Sequence, residues 1–224
     1  MAASGLKTVH LKLPASTEDL RELEIGSVAY LTGRVFTARE GVYKHAIEDG
    51  LGMPASREML GIANFHCSPA ASINPDGSYT VGAVTATASF RFARWLDDWF
   101  KLSGCNIIMG KGGMTSEMYR SAFVPNDAIY LTTVGYGTGA LLGRGIRSVA
   151  AVYWAEELGQ AQALWVLEVE NFGPFLVESD LAGNSLFERE NAKIAPGLER
   201  LYEGTRPATL RRYGETDDKT EEVI

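Results

Sequence analysis

Asn106-Ile107-Ile108-Met109-Gly110-Lys111-Gly112-Gly113 reads as a buried strand running straight into a glycine turn. A short continuous apolar run bounded by glycines fits a strand covered on both faces. Just downstream, Thr115 or Ser116 with Glu117 close behind predicts a capped helix as far as Phe123. Strand, glycine turn and helix in succession is the building unit of an α/β fold.

Working outward, the same alternation recurs. On the C-terminal side, Ala128 to Val134 predicts a strand and Gly135 to Gly145 a glycine-rich turn and helix. Ser148–Trp154, Ala163–Val169 and Phe175–Ser179 read as three more strands, and Glu188–Tyr202 as a helix interrupted near Pro196. On the N-terminal side, Phe90 to Leu102 has helical spacing of Phe92, Trp95, Leu96, Trp99 and Phe100. Tyr79 to Ala88 is extended, after an Asn74-Pro75-Asp76-Gly77 turn. Arg39 to Glu48 is a helix that Gly50 stops, and Ser27 to Thr37 a strand broken by Gly33. Ser16 to Leu23 is a short capped helix, and Leu6 to Leu13 alternates like a strand. The composition shift over Pro69–Gly77 suggests a subdomain junction. Residues 1–213 are expected to form a single domain. Residues 214–224, with five acids and one lysine, read as a solvated, disordered tail.

Composition narrows the function. The chain has 224 residues and a formal net charge of −7, which argues against a nucleic-acid binder that must neutralise phosphates. No apolar run approaches the roughly 20 residues of a membrane span, and Met1–Pro14 lacks the features of a signal peptide, so the expected location is cytoplasmic. Cys67 and Cys105 are the only cysteines. They make neither a disulfide framework nor an iron–sulfur site, which takes about three or four thiolates. No metal site is expected in this chain.

Four segments are candidates for chemistry. Arg39 stands at a strand end, where open α/β sheets hold ligands, and its guanidinium matches a carboxylate. Thr85-Ala86-Thr87-Ala88-Ser89-Phe90-Arg91 turns from extended chain into a helix, clustering hydroxyls and free N–H groups at a point suited to an anion. Lys111 places a charge in a turn whose glycines allow close approach. Gly135 and Gly137, with Glu156 after the next strand, imitate a dinucleotide fingerprint and keep an NAD(P)-dependent enzyme open as a rival. Each segment also has a plain structural explanation. His10, His45, His66 and Cys67 show no catalytic pairing by spacing.

Several segments together resemble one family, the beta subunit (or C-terminal domain) of class I fumarases and L-tartrate dehydratases. Leu31-Thr32-Gly33-Arg34-Val35-Phe36-Thr37-Ala38-Arg39-Glu40 is similar to its "tGxxxxARD" segment, and Ile107 to Gly112 to its "miigKG" turn. Tyr130–Gly139 is similar to its glycine-rich strand and turn. Glu168–Phe172 and Asp180–Phe187 resemble its "EVxdFpafvvvDxxGNdlf" ending. Arg91 stands 20 residues before Lys111, matching the arginine of the family's GPTT(x)xR segment, with Thr87 on its first threonine. Thr85-Ala86-Thr87-Ala88 replaces Gly-Pro-Thr-Thr, Glu40 replaces Asp, and Tyr43 stands where His is frequent.

The resemblance implies a swivelling β/β/α domain and a hydro-lyase beta subunit. It implies a cluster-bearing alpha partner, in a heterodimer or α2β2 assembly, which holds a [4Fe–4S] cluster. It also implies a fumarate-, tartrate- or mesaconate-like substrate. Arg39, Arg91, Lys111 and Thr85 would bind that carboxylate, and Thr87 and Lys111 would be catalytic. A non-catalytic carboxylate-binding module of the same fold is the remaining alternative.

Overall fold

The structure, a computed structural model, describes residues 6–135 and 137–204. Nine strands occur among them: β1 Thr8–Lys12, β2 Val28–Thr37, β3 Ala63–Phe65, β4 Cys67–Ile73, β5 Tyr79–Ala86, β6 Ile107–Gly110, β7 Ile129–Thr133, β8 Ile146–Tyr153 and β9 Leu164–Ser179. The α-helices are α1 Thr17–Arg21, α2 Glu40–Tyr43, α3 Arg57–Leu60, α4 Leu96–Ser103, α5 Ser116–Met118, α6 Thr138–Arg144, α7 Ala155–Leu158 and α8 Leu186–Tyr202. The expected α/β class is observed.

The main sheet closes on itself. β2, β3, β6 and β7 run parallel in that order. β9 runs antiparallel to both β7 and β2, which completes a five-strand ring. β1 shares an edge of β2 with β3, and β8 lies along the first half of β9. β9 is a single 16-residue strand where the sequence suggested two. Its register shifts against its neighbours, and Asn171 takes a positive φ of 47°, so the chain bends through Asn171–Pro174 without leaving the sheet.

Alternation explains why the ring strands look uniformly apolar. Ile107, Met109, Ile129, Leu131, Trp165 and Leu167 face one core. Their neighbours Ile108, Tyr130, Leu164 and Val166 face a second core. Helices cover that second side, with Trp99, Phe100, Tyr119 and Phe123 packing onto it. Successive strand residues point to opposite faces, so a strand buried on both loses its polar positions.

Several boundaries differ from the sequence reading. Pro69–Gly77 is no subdomain junction; it lies in the β4–β5 hairpin, which turns at Asn74–Gly77. Gly33 does not interrupt β2; the strand continues through it. The helix expected from Phe90 begins as a 3₁₀ segment, Ser89–Trp95, before α4. Its first residue sends its hydroxyl into buried bonds instead of capping the turn. α2 continues as a π-helix over Lys44–Glu48, and α5 as another over Tyr119–Phe123. Among the described residues, those up to Glu188 form one compact unit and those from Arg189 to Gly204 a second. α8 runs through Pro196 unbroken, because one missing donor leaves the ladder on either side in place. The proposed tail, residues 214–224, lies outside the described residues.

Candidate active site

The C-terminal ends of the parallel strands gather at one rim of the ring. β2 delivers Arg39 and Glu40 there, β3 delivers His66, and β6 delivers Lys111. This is the edge at which α/β sheets place ligands. The segment leaving β5 joins them. The Thr87 N–H donates to the His66 carbonyl at 2.7 Å, and the Lys111 N–H donates to the Thr87 carbonyl at 3.1 Å. Ser89 N–H then donates to the Lys111 carbonyl at 3.3 Å. Thr87 and Lys111, remote in sequence, are therefore neighbours by main-chain bonding.

Arg91, in the 3₁₀ segment, reaches Glu40 at 3.4 Å. Glu40 also takes Lys44 at 2.9 Å, and first Lys44, then Arg91 and Arg94, hold its carboxyl below the usual range. Arg39 turns another way. One of its terminal nitrogens donates to the Ala161 carbonyl at 3.1 Å, while its Nε is buried without a hydrogen-bond partner. Ser68 donates to the same carbonyl at 3.0 Å and pairs across the hairpin with Thr85, which is exposed. Thr85 thus lies on the Arg39 side of the rim. Thr87 and Lys111 form one linked pair, and Arg91 is joined to the Arg39 segment through Glu40.

Beneath Thr87 lies a buried polar chain that sequence spacing does not reveal. His66 Nδ1 and Ser89 Oγ are 2.7 Å apart, and His66 Nε2 and the Tyr43 hydroxyl are also 2.7 Å apart. Tyr130 donates to Ser89 at 2.8 Å. Tyr43 meets Asn64 Oδ1 at 3.3 Å, where Trp99 Nε1 donates at 3.1 Å. Burial lowers the His66 pKa to about 3, so the ring is neutral. Gly110 is required here: a Cβ would sit 1.9 Å from Ser89 Oγ. The one legible signal was a histidine directly after a strand.

A buried carboxyl underlies the lysine turn. Glu178 is fully buried, accepts from Ser185 at 2.6 Å, and packs against Gly113. Burial raises its pKa, against the opposing bonds from Ser185 and Tyr119.

The dinucleotide reading gains no support from this geometry. β7 pairs with Phe175–Ser179 of β9 and β8 with Leu164–Val169, so Glu156, just past Tyr153 and its partner Leu164, lies beyond the start of β9, whereas the Gly135 turn follows Thr133, the partner of Phe175. The glycines of α6 have another use. Added Cβ atoms on Gly139 and Gly143 would meet the Val84 and Gly82 carbonyls at 2.6 and 2.3 Å. They let α6 lie directly on β5.

The donor set does not suit an iron–sulfur cluster. Cys67 follows β3 at the rim, whereas Cys105 precedes β6 at the opposite end of the parallel pair. Both thiols are buried. Burial raises the Cys67 pKa despite nearby Arg39 and pushes that of Cys105 up to about 12. Among the described residues no group of three or more His, Cys, Asp or Glu is placed to hold a metal ion. None of the described helices is long and apolar enough to cross a membrane.

The model of the family described as Fumarase C-terminus matches residues 1–190. The chain belongs to that family. Among curated relatives, a Methanocaldococcus jannaschii protein named "Putative L(+)-tartrate dehydratase subunit beta" is 34% identical over 189 residues, covering 82% of this chain and 93% of that protein. The Escherichia coli K12 protein named "L(+)-tartrate dehydratase subunit beta" is 32% identical, covering 82% and 88%. A Geobacillus stearothermophilus protein named "Putative fumarate hydratase class I" is 29% identical, covering 83% of this chain but 34% of its own length. As a member of the Fumarase C-terminus family, the chain therefore matches a separate subunit in some relatives and one part of a longer chain in another.

Proposed function

We propose that this chain is the beta subunit of a hydro-lyase that adds or removes water at a small hydroxy- or dicarboxylate. The supporting observation is the main-chain linkage of Thr87 to Lys111 at the rim, with Arg91 four residues after Thr87 on the same segment and paired to Glu40. Lys111 and Arg91 bind the substrate carboxylates, and Arg39 contributes once its guanidinium leaves Ala161. Thr85 borders the binding surface. The Thr87 oxygen, in its alkoxide form, takes the proton from the carbon next to a carboxylate and so becomes the hydroxyl. A threonine serves as a base only where positive charge stabilises its alkoxide, and Lys111 and Arg91 are the cations available. Departure of the hydroxyl belongs to an alpha partner, to which the family resemblance assigns the [4Fe–4S] cluster.

Co-expression with a cluster-bearing alpha subunit tests this. The assembled complex should turn over L-tartrate, malate, fumarate or mesaconate, and the isolated chain none of them. Turnover by the isolated chain, free of iron, sinks the proposal. Carboxylate binding by an inactive reconstituted complex would favour a binding module instead.

A further inference from the structure

We propose that His66 is the positioning residue of this site, fixing the Thr87–Ser89 segment from two directions and thereby setting where Thr87 and Lys111 stand. The proposal rests on the functional reading of those two residues. From below, the His66 ring bonds the Ser89 hydroxyl at 2.7 Å; from the side, its main-chain carbonyl receives the Thr87 N–H at 2.7 Å. The segment between those anchors is bridged to Lys111 at Ala88. The ring thus holds Ser89 and the main-chain carbonyl holds Thr87, so displacing His66 moves the segment and the start of the lysine turn with it.

The ring itself has little freedom. It is fully buried, packed edge-on against Phe92 at 4.7 Å and Tyr43 at 5.7 Å between centroids. Its protons can be assigned by satisfying every buried group. Tyr130 donates to Ser89, Ser89 to Nδ1, Nε2–H to Tyr43, and Tyr43 to Asn64. All of these groups are partnered without a net charge, which suits a fixed support better than a proton carrier. An ordinary core histidine would satisfy its own ring; this one also carries both anchors of the segment that bears the proposed base.

Two measurements on the full chain separate positioning from mere core packing. The first is amide hydrogen exchange at Thr87 and Lys111; the second is kcat and KM in the complex with its alpha partner. Ser89→Ala and His66→Gln should raise exchange at both amides at least tenfold. They should lower kcat at least tenfold while KM stays within twofold. Trp99→Phe cuts the far end of the same chain. It should lower the melting temperature yet leave both amides and kcat unchanged. If His66→Gln does not fold, Ser89→Ala carries the test. Unchanged exchange or kcat in Ser89→Ala overturns the proposal, as do equal effects from Trp99→Phe. If the wild-type complex turns over none of L-tartrate, malate, fumarate and mesaconate, the functional reading fails. Exchange then still decides whether His66 holds the segment.

Discussion

Arg91, proposed above as a carboxylate-binding residue, is held by a weak, exposed pair with Glu40. The pair with Glu40 is 3.4 Å long, with side chains 48% and 38% exposed. Exposed pairs of this kind contribute about 0–1 kcal/mol, whereas hydrogen bonds to a charged partner contribute about 1.5–3 kcal/mol. Arg91→Ala should therefore lower kcat/KM by about 10- to 100-fold without affecting assembly, read by steady-state kinetics of the complex. His66 makes a different prediction. Its folded pKa, about 3, lies below the ordinary 6.5. The unfolded chain therefore binds this proton first as pH falls. The stability contributed by neutral His66 is complete above pH 6.5 and is lost progressively towards pH 3, up to roughly 5 kcal/mol. Denaturant titrations at several pH values should show His66→Gln losing that part of the acid dependence. At this scale the sequence was partly legible. Arg39, Arg91 and Lys111 could be singled out one by one, and family spacing grouped them with Thr87. The chain from Tyr43 to Tyr130 could not be read, because its members come from four separate elements with no shared period.

Among the elements, α6 shows most clearly how a glycine pattern can mislead. A strand followed by Gly-x-Gly looks like a cofactor turn, yet Gly139 and Gly143 serve the approach of α6 to the hairpin. Gly139→Ala and Gly143→Ala should each destabilise the fold by about 1–3 kcal/mol, measured by denaturant unfolding, because backbone carbonyls occupy the space a methyl needs. The end of β9 carries the opposite case. Glu178 has a raised pKa, so its protonated form fits the fold best. Its contribution is complete below the ordinary carboxylate pKa and is lost as pH rises through the raised value. Glu178→Gln should thus gain melting temperature over the wild type as pH rises, with little difference in acid. Element positions were mostly legible from apolar periodicity and turn residues. The join within β9 was not, since Asn171-Phe172-Gly173-Pro174 reads locally as a break and only pairing with β2 and β7 carries the strand across it.

At the scale of the whole molecule, closure of the ring was beyond sequence reading. It depends on β9 pairing with a strand more than 120 residues earlier, and periodicity reports only local structure. The same architecture separates the cysteines. Thiols so buried, with raised pKa values, are poor nucleophiles. Ellman's reagent should label Cys67 and Cys105 only at the rate of unfolding, and faster labelling of the native chain would show an opening that the fold does not contain. Ring closure also sets an order of events during synthesis. Arg39, Thr87, Arg91 and Lys111 leave the ribosome well before β9, the strand that ties β2 to β7. A nascent chain halted before Leu164 already contains every residue proposed for the site but cannot hold them in place. The proposed site therefore takes its shape only when the last strand of the ring pairs with both β2 and β7.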